Sequence, residues 1–293
     1  MADTLLLRPR QALSLLAPTW LLLLAVIIIP AGYILWLSFY ASSFGQAPRW
    51  VGLGNYAQVL ADPYFWRALR NTLVVVLVVV HAEMAVGLAV ALLFASGLRW
   101  RPGWIAVVLA PYAVSEVSAV IMWRFLLDPD TGILTHAMAV FGIPALDWAV
   151  VPSAGLALVC LISIWLNLPF TFVLLYAARL ALPGDVYEAA RVDGATPWQQ
   201  FRLTTWPLLR PAILVAMLFR YIVAFRLFSE VWLTTQGGPA RTTEVVALYL
   251  YVEGFRYDSF GVASATGWTM VVVAFLIALL YLRSFYRASF HAA

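Results

Sequence analysis

Charged side chains inside apolar segments are the residues of this sequence most able to do chemistry. Arg220, Arg226 and Glu230 lie in one apolar stretch, and Glu83 and Glu116 lie in two earlier ones. Each such charge costs about 2.5 kcal/mol or more in hydrocarbon unless it is paired, hydrated or bound to a ligand. Carboxylates in this setting can carry protons, and arginines can bind anions or hydroxyl groups through their fixed N–H donors.

The spacing of these charges leaves two interpretations open. Arg226 and Glu230 are four residues apart, so we expect them to pair along one helix face. Arg220 then needs Glu83, Glu116, water or a ligand as its partner. The charges form either a buried network that fixes helix packing or a polar stripe that faces a water-filled path.

An amide and two aromatic side chains extend the candidate path. Asn167 lies beside Pro169, which weakens the helix there, so the amide is either a hydrogen bond between helices or a ligand contact. Tyr221 and Phe225 alternate with the charges, and aromatic faces beside arginine donors suit sugar rings, although most aromatic residues in a span face lipid or other helices. The candidate substrate path therefore comprises Glu116, Asn167, Arg220, Tyr221, Phe225, Arg226 and Glu230.

Groups for enzymatic catalysis are not arranged at motif spacing. The histidines His81, His136 and His291 are scattered, and no zinc-protease spacing occurs. All 18 basic residues are arginine, so the lysine of a nucleotide-binding P-loop is missing. We expect no catalytic residue, no metal site and no cofactor in this chain, and the arginines at span ends give no reason to expect a nucleic acid partner.

Composition predicts an integral membrane protein. Of the 293 residues, 64% are hydrophobic, and the mean hydropathy is +0.90. Apolar runs of about 20 residues or more predict six transmembrane helices, the first interrupted at Pro30. They cover about residues 12–37, 70–95, 104–127, 151–178, 208–233 and 261–283. The prediction is an all-α membrane protein in which residues 1–293 form a single transmembrane domain.

Arginine positions predict the orientation of the spans. One side carries Arg8, Arg10, Arg99, Arg101, Arg179, Arg191, Arg202, Arg210, Arg283 and Arg287. The other side carries Arg49, Arg67, Arg70, Arg241 and Arg256. Because basic residues favour the cytoplasmic side, we expect both termini and the polar segment 183–211 in the cytoplasm.

The polar segment 183–211 has helix signals of its own. Asp185 as N-cap with Glu188 three residues later predicts a capping box and a first short helix. Gly194 is expected to end that helix, since glycine adopts left-handed dihedral angles readily. Thr196 and Gln199 repeat the capping box for a second short helix before the next span.

Two motifs resemble the permease subunits of carbohydrate ABC importers. Glu-Ala-Ala at 188–190, followed by Gly194 and later by Pro207, resembles the EAA loop of that family. Gly-Gly-Pro at 237–239 resembles its GGP motif, so the resemblance covers most of residues 165–270. The sequence departs from the family at Thr204 and Trp206, where an aliphatic residue is usual.

The resemblance implies a type I importer fold in a bacterial or archaeal inner membrane, with a cytoplasmic coupling loop at 183–207. It also implies that the ATPase contact is made by Glu188, Ala189, Ala190, Asp193 and Gly194. The implied partners are two ATP-binding subunits that hold ATP and Mg²⁺, a second homologous permease subunit in a heterodimer, an external substrate-binding protein, the lipid bilayer and a sugar.

The expected function is that of a transmembrane permease subunit in an ATP-driven, binding-protein-dependent sugar importer, with no enzymatic activity of its own. The alternative is a proton-coupled secondary sugar transporter in which Glu83, Glu116 and Glu230 carry protons. The resemblance to trehalose- and maltose-type permeases favours a neutral sugar. Arg220 and Arg226 leave an acidic sugar derivative open.

Overall fold

The computed structural model describes the backbone of residues 9–290 and the side chains of residues 15–281 and 283. The side chains of Arg8, Arg10, Arg287 and His291, which the sequence predictions used, lie outside the described residues. The described helices are α1 Pro9–Leu23, α2 Ile29–Leu37, α3 Gly54–Ala61, α4 Pro63–Ala95, α5 Arg101–Leu109, α6 Glu116–Leu126, α7 Ile133–Val140, α8 Pro152–Leu180, α9 Gly184–Val192, α10 Pro197–Gln200, α11 Trp206–Ala224, α12 Ser229–Thr234, α13 Val246–Tyr251 and α14 Phe260–Phe290. Strands β1 Tyr40–Ala41 and β2 Arg49–Trp50 pair antiparallel.

The long apolar helices confirm the predicted all-α membrane fold. Within the described residues, the segments long and apolar enough to cross a membrane are Leu15–Leu37, Pro63–Ala95, Pro152–Leu180, Pro197–Ala224 and Phe260–Tyr281. A sixth span is reached when α5 and α6 are counted together as one broken span.

The third predicted span, residues 104–127, is wrong as one continuous helix. After α5 the chain passes through a 3-10 turn at Ala110–Ala113 and bends by 101° before α6 begins. Pro111 lies in that turn, and Ser115 is extended with φ −60° and ψ 140°. Proline lacks the N–H that a continuing helix needs, so the apolar run folds as two pieces. The bend places Glu116 in the first turn of α6, where the helix dipole favours a carboxylate.

The fifth predicted span, residues 208–233, also divides. Helix α11 ends at Ala224, and Phe228 is non-helical with φ −137° and ψ −55° before α12 begins. Neither proline nor glycine marks this break, so the sequence signals for helix termination do not reveal it. The predicted pair of Arg226 and Glu230 is wrong, because no single helix carries both and no ion pair of the described residues joins them.

Two π-helical turns lie just before prolines. Leu24–Ile28 precedes Pro30, and Phe201–Thr205 precedes Pro207. In each case the residue before the proline donates its N–H to the carbonyl five positions back. The wider turn relieves the clash between the proline ring and the preceding turn of the helix. The predicted interruption at Pro30 is therefore wrong, and α10 runs into α11 as one helical segment.

The structure divides into two compact units. One contains the residues up to Asp62 together with Leu250–Val271, and the other contains Pro63–Tyr249 together with the residues from Val272 onwards. In the smaller unit, Asn55 Nδ2 donates to the carbonyls of Ser38 and Tyr40, at 2.8 and 2.9 Å. None of the side chains of its first span, Leu15–Leu37, is buried.

Helices α4, α8 and α11 form the core of the larger unit. Helices α4 and α8 approach closely at Gly87, where an added Cβ would lie 2.6 Å from Thr171 Cγ2. Small residues permit such close approach between membrane helices. The buried apolar side chains that the three helices share are Met84, Leu88, Ala91, Phe94, Phe172, Leu175, Leu209, Ile213 and Ala216. This core positions the charged residues of α4 and α11 opposite each other.

Candidate functional site

A cavity of about 440 Å³ lies among α6, α8, α11 and α12 in the larger unit. Its lining includes five of the seven residues of the predicted substrate path, namely Glu116, Asn167, Arg220, Arg226 and Glu230. Phe228, another aromatic residue that alternates with the charges, also lines the cavity, and so do Tyr112 and Ser163, which the sequence did not single out. A contact between these residues and a substrate stays a prediction.

Arg220 is the centre of a buried network that joins α4, α8 and α11. Its guanidinium binds Glu83 in bidentate geometry, with Nε 2.6 Å from Oε2 and Nη2 2.9 Å from Oε1. Nη1 donates to Asn167 Oδ1 at 2.9 Å, and Asn167 Nδ2 donates to Ser163 O at 2.8 Å. Arg220 is 2% exposed and Glu83 is 0% exposed. Of the partners that the sequence left open for Arg220, the structure therefore contains Glu83, together with the amide of Asn167.

The other charges of the cavity form none of the ion pairs found among the described residues. Glu116 and Arg226 are exposed, whereas Glu230 is buried and its carboxylate interacts with the Ser163 hydroxyl. Ser163 could have been found from the sequence, because it lies four residues before Asn167 and therefore on the same face of α8. These groups give the cavity polar surface inside an apolar helical body.

The structure does not bring Tyr221 and Phe225 to this cavity. They line a second, apolar cavity of about 240 Å³ with residues of α4 and α14, among them Leu73 and Tyr281. Tyr281 Oη donates to the carbonyl of Leu214 at 3.1 Å, which ties α14 to α11. Tyr221 and Phe225 lie between helices here, and their predicted role in the substrate path stays untested.

The segment after α8 folds as two helical pieces separated at Gly194. Helix α9 ends in a Schellman motif, in which Ala195 N donates to Ala190 O at 2.9 Å and Gly194 N donates to Arg191 O at 3.0 Å. Gly194 has φ +74°, a conformation that glycine adopts without a Cβ clash. The predicted helix end at this glycine is confirmed.

The start of α9 differs from the prediction. The helix begins at Gly184 with Pro183 at the N-cap, and no side-chain capping hydrogen bond forms there. The predicted capping box of Asp185 and Glu188 is therefore wrong, since the helix starts too early for Asp185 to occupy the cap. Glu188, like its neighbour Ala189, is exposed.

The second capping box is confirmed. Thr196 Oγ1 accepts from Gln199 N at 3.4 Å, and Thr196 N donates to Gln199 Oε1 at 2.8 Å. Of the other residues predicted for ATPase contact, Asp193 and Gly194 are exposed and Ala190 is half-buried. The sequence missed Tyr187, the buried residue of α9, although it is the single aromatic residue of this helix and was therefore a signal for an anchor.

The residues that follow the Gly-Gly-Pro motif pack against the start of α4. Arg241 binds Glu244 in bidentate geometry at 2.6 and 3.0 Å, and its Cζ lies 4.4 Å from the ring centroid of Tyr64. Asn71 Nδ2 donates to the carbonyls of Thr242 and Glu244, at 2.8 and 2.9 Å. These contacts hold the loop against α4.

Fold and site together define a class of protein, a multi-span helical permease with a polar cavity in its apolar body and a two-helix loop between two spans. The chain belongs to the family described as binding-protein-dependent transport system inner membrane component, which it matches over residues 13–289.

Relatives of known name agree with this family. The chain is 33% identical over 282 residues to the trehalose transport system permease protein SugA of Mycobacterium tuberculosis, covering 96% of this chain and 90% of the relative. It is 29% identical over 270 residues to the trehalose/maltose transport system permease protein MalF of Thermococcus litoralis, covering 92% and 91%.

A solved structure has the same fold. It is the crystal structure of a bacterial ABC transporter involved in the import of the acidic polysaccharide alginate. One of its chains aligns with a TM-score of 0.82 and 24% identity, over 95% of this chain and 96% of that chain. The present chain is thus a permease subunit of the ABC importer class in a multi-pass inner membrane system, and ATP hydrolysis belongs to a separate subunit. Family membership supports this function over the proton-coupled alternative.

Proposed function

We propose that this chain forms half of the translocation path of a sugar importer and that the cavity lined by Glu116, Asn167, Arg220, Arg226 and Glu230 is the part of that path that sugar crosses. The polar lining of this cavity inside an apolar helical body is the observation that carries the proposal. The named functions of the relatives SugA and MalF, trehalose and maltose transport, supply the substrate class.

The charge of the cavity favours a neutral sugar over an anionic one. Glu83 neutralises Arg220 within 2.6 Å, so that guanidinium does not attract an anion. The remaining charges are two carboxylates, Glu116 and Glu230, against the single guanidinium of Arg226. The lining therefore offers an anionic sugar no net positive charge, whereas hydroxyl groups can use both carboxyl groups and amide or guanidinium donors.

Transport assays with two sugars test the substrate class. The full transporter, reconstituted in vesicles with its binding protein, is given labelled trehalose and a sulfonated sugar of similar size. We expect uptake of trehalose to exceed that of the anion by about tenfold or more, which corresponds to ~1.4 kcal/mol. The variant Glu116→Gln with Glu230→Gln should lower the ratio of trehalose uptake to anion uptake, because it leaves the guanidinium of Arg226 in the cavity without the two carboxyl groups. Preferred uptake of the anion by the native transporter would contradict the proposal.

The second half of the proposal concerns α9, which we infer to be the ATPase-docking helix. Glu188 is exposed and makes no capping bond, so its carboxylate is available to a basic group of another subunit. Val192, one helical turn after Glu188, is 87% exposed, and a subunit docked on this face of α9 would cover both side chains. Two ATP-binding subunits, a second homologous permease subunit and an external binding protein would complete the assembly.

Glu188 variants separate docking from local structure. Because Glu188 does not cap the helix, Glu188→Gln should leave α9 folded and lower ATP-driven uptake, with Glu188→Ala similar or worse. Gln199→Glu is the matched control, because Gln199 is exposed and a glutamate oxygen can still accept the capping hydrogen bond of α10. This variant should transport sugar at the native rate. If both Glu188 variants transported sugar at the native rate, the docking role would be wrong.

A labelling experiment tests the orientation that places α9 in the cytoplasm. With Cys160→Ser as background, Val192→Cys should react with a membrane-impermeant maleimide only after the membrane is opened. Phe44→Cys, at a position 84% exposed, should react in intact cells because the arginine pattern predicts residue 44 on the outer side. Reaction of Val192→Cys in intact cells would reverse the topology and remove the basis for ATPase docking.

A further inference from the structure

Tyr187 differs from the rest of α9 because its side chain is buried. It is 8% exposed, whereas Val186 before it is 40% exposed and Val192 at the helix end is 87% exposed. The polar contact of Arg191 is local, since its Nε donates to Tyr187 O within the helix at 3.3 Å. Tyr187 is therefore the side chain that anchors α9 to the body of the larger unit.

The ring and the hydroxyl of Tyr187 contact different spans. The Arg179 guanidinium, in the last turn of α8, lies over the ring with its Cζ 4.0 Å from the centroid. The hydroxyl donates to Thr205 Oγ1 at 3.1 Å. Thr205 is 4% exposed and is the last residue of the π-helical turn before α11. One side chain thus contacts the end of α8 and the beginning of α11.

Those two helices carry the residues of the buried network. Helix α8 carries Asn167 and α11 carries Arg220, which are joined by a 2.9 Å hydrogen bond at the cavity. At 1.5 Å per residue, the distance along the helix from Thr205 to Arg220 is about 22 Å. A packed helix moves as a rigid element, so displacement at Thr205 reaches Arg220. The π turn places this contact where the winding is widest, and such turns recur at functional sites.

We infer that Tyr187 is the positioning residue through which movement of α9 is transmitted to α8 and α11, and hence to the cavity. This inference rests on the proposed docking of α9 to the ATPase. The ring fixes α9 to α8 through Arg179, and the hydroxyl fixes it to α11 through Thr205. Loss of the hydroxyl leaves α9 attached to α8 and releases it from α11.

The test measures ATP hydrolysed per sugar transported by the full transporter in vesicles with its binding protein. Tyr187→Phe keeps the ring under Arg179 and removes the bond to Thr205. Thr205→Val removes the same bond from the other side, together with the longer hydrogen bond from Thr205 Oγ1 to Gln200 O at 3.4 Å, and Thr205→Ser keeps both. We expect the first two variants to raise the ratio of ATP to sugar about fivefold, as ~1 kcal/mol of coupling is lost. Thr205→Ser should have the native ratio.

The double variant Tyr187→Phe with Thr205→Val should raise the ratio of ATP to sugar no further than either single variant. The reason is that both substitutions remove the same hydrogen bond between the two hydroxyl groups. Tyr257→Phe, at an exposed tyrosine of the other unit, is the control and should leave the ratio unchanged. A merely structural role would lower ATP hydrolysis and transport in parallel. An unchanged ratio in both Tyr187→Phe and Thr205→Val would overturn the inference.

Crosslinking distinguishes this failure from failure of the proposed docking. A Val192→Cys variant should crosslink to the ATPase subunit in the assembled transporter whether or not Tyr187 is replaced. If the crosslink forms and the ratio is unchanged, Tyr187 does not transmit the movement although docking is correct. If no crosslink forms, the docking itself is wrong.

Discussion

Replacing Glu83 by glutamine would leave the Arg220 guanidinium buried with no opposite charge. In the native chain Arg220 donates hydrogen bonds of 2.6 and 2.9 Å to Glu83 and one of 2.9 Å to Asn167. The side chains of Arg220 and Glu83 are 3% and 0% exposed, so little water reaches the pair and hydration compensates only in part for a lost partner. Glutamine keeps the shape of glutamate and one acceptor oxygen, so the substitution isolates the charge.

Two independent scales give the size of the effect. Removing one partner of a buried ion pair costs about 3–5 kcal/mol. An uncompensated arginine at the middle of a membrane helix costs about 2.5–3.5 kcal/mol. We therefore expect Glu83→Gln to lower the free energy of unfolding by about 3 kcal/mol. This loss raises the equilibrium constant for unfolding about a hundredfold.

Equilibrium unfolding of the purified chain in mixed detergent micelles measures this loss. Arg226→Gln is the matched control, because Arg226 is exposed and forms none of the ion pairs of the described residues, and its effect should stay within about 0.5 kcal/mol. Combining Glu83→Gln with Arg220→Met should recover at least half of the loss, since no charge is then left buried. Equal losses for Glu83→Gln and Arg226→Gln would refute the reasoning.

Three further changes test helix packing and the loop. Gly87→Ala places a Cβ 2.6 Å from Thr171 Cγ2. We expect it to lower the free energy of unfolding by about 1–3 kcal/mol in the same assay, and by less when Thr171→Ala is added. A Gly87→Ala variant as stable as the native chain would argue against close helix contact. Gly194→Ala forces a Cβ into a left-handed conformation of φ +74°, at a cost of about 1–2 kcal/mol. This cost should appear as faster amide exchange in the last turn of α9, whereas Gly184→Ala, without a positive φ, should exchange like the native chain. Thr196→Ala removes the capping box and should speed exchange at the start of α10 about fivefold, for ~1 kcal/mol, and Thr196→Ser should restore protection if the hydroxyl is the cause.

The features predicted well from the sequence are those set by neighbouring residues. The capping box of Thr196 and Gln199 spans three positions, and the left-handed turn at Gly194 depends on that residue alone. Span number follows from apolar length, which is also a local property. Such signals do not need the rest of the chain, so sequence alone contains them.

The features that could not be predicted depend on distant contacts. Glu83 and Arg220 are 137 positions apart, and only the packing of α4 against α11 selects this partner over Glu116 or water. The break between Ala224 and Ser229 has no glycine or proline to mark it. The predicted capping box at Asp185 is wrong because α9 begins at Gly184, with Pro183 at the N-cap position.

Helix α4 is synthesised before α11, so Glu83 can help the arginine-bearing helix α11 to insert into the membrane. The most apolar part of the segment Pro197–Ala224 has a mean hydropathy of 1.6. The corresponding values for the other candidate membrane spans that consist of one helix, among the described residues, are 2.1 to 2.5. Among these spans, this segment therefore has the weakest tendency to enter the bilayer by itself, and it carries Arg220. The carboxylate of α4 reaches the translocon much earlier and can receive that arginine when it arrives. A chain in which α11 is synthesised without α4 should therefore insert this segment into the bilayer less efficiently than the native chain does.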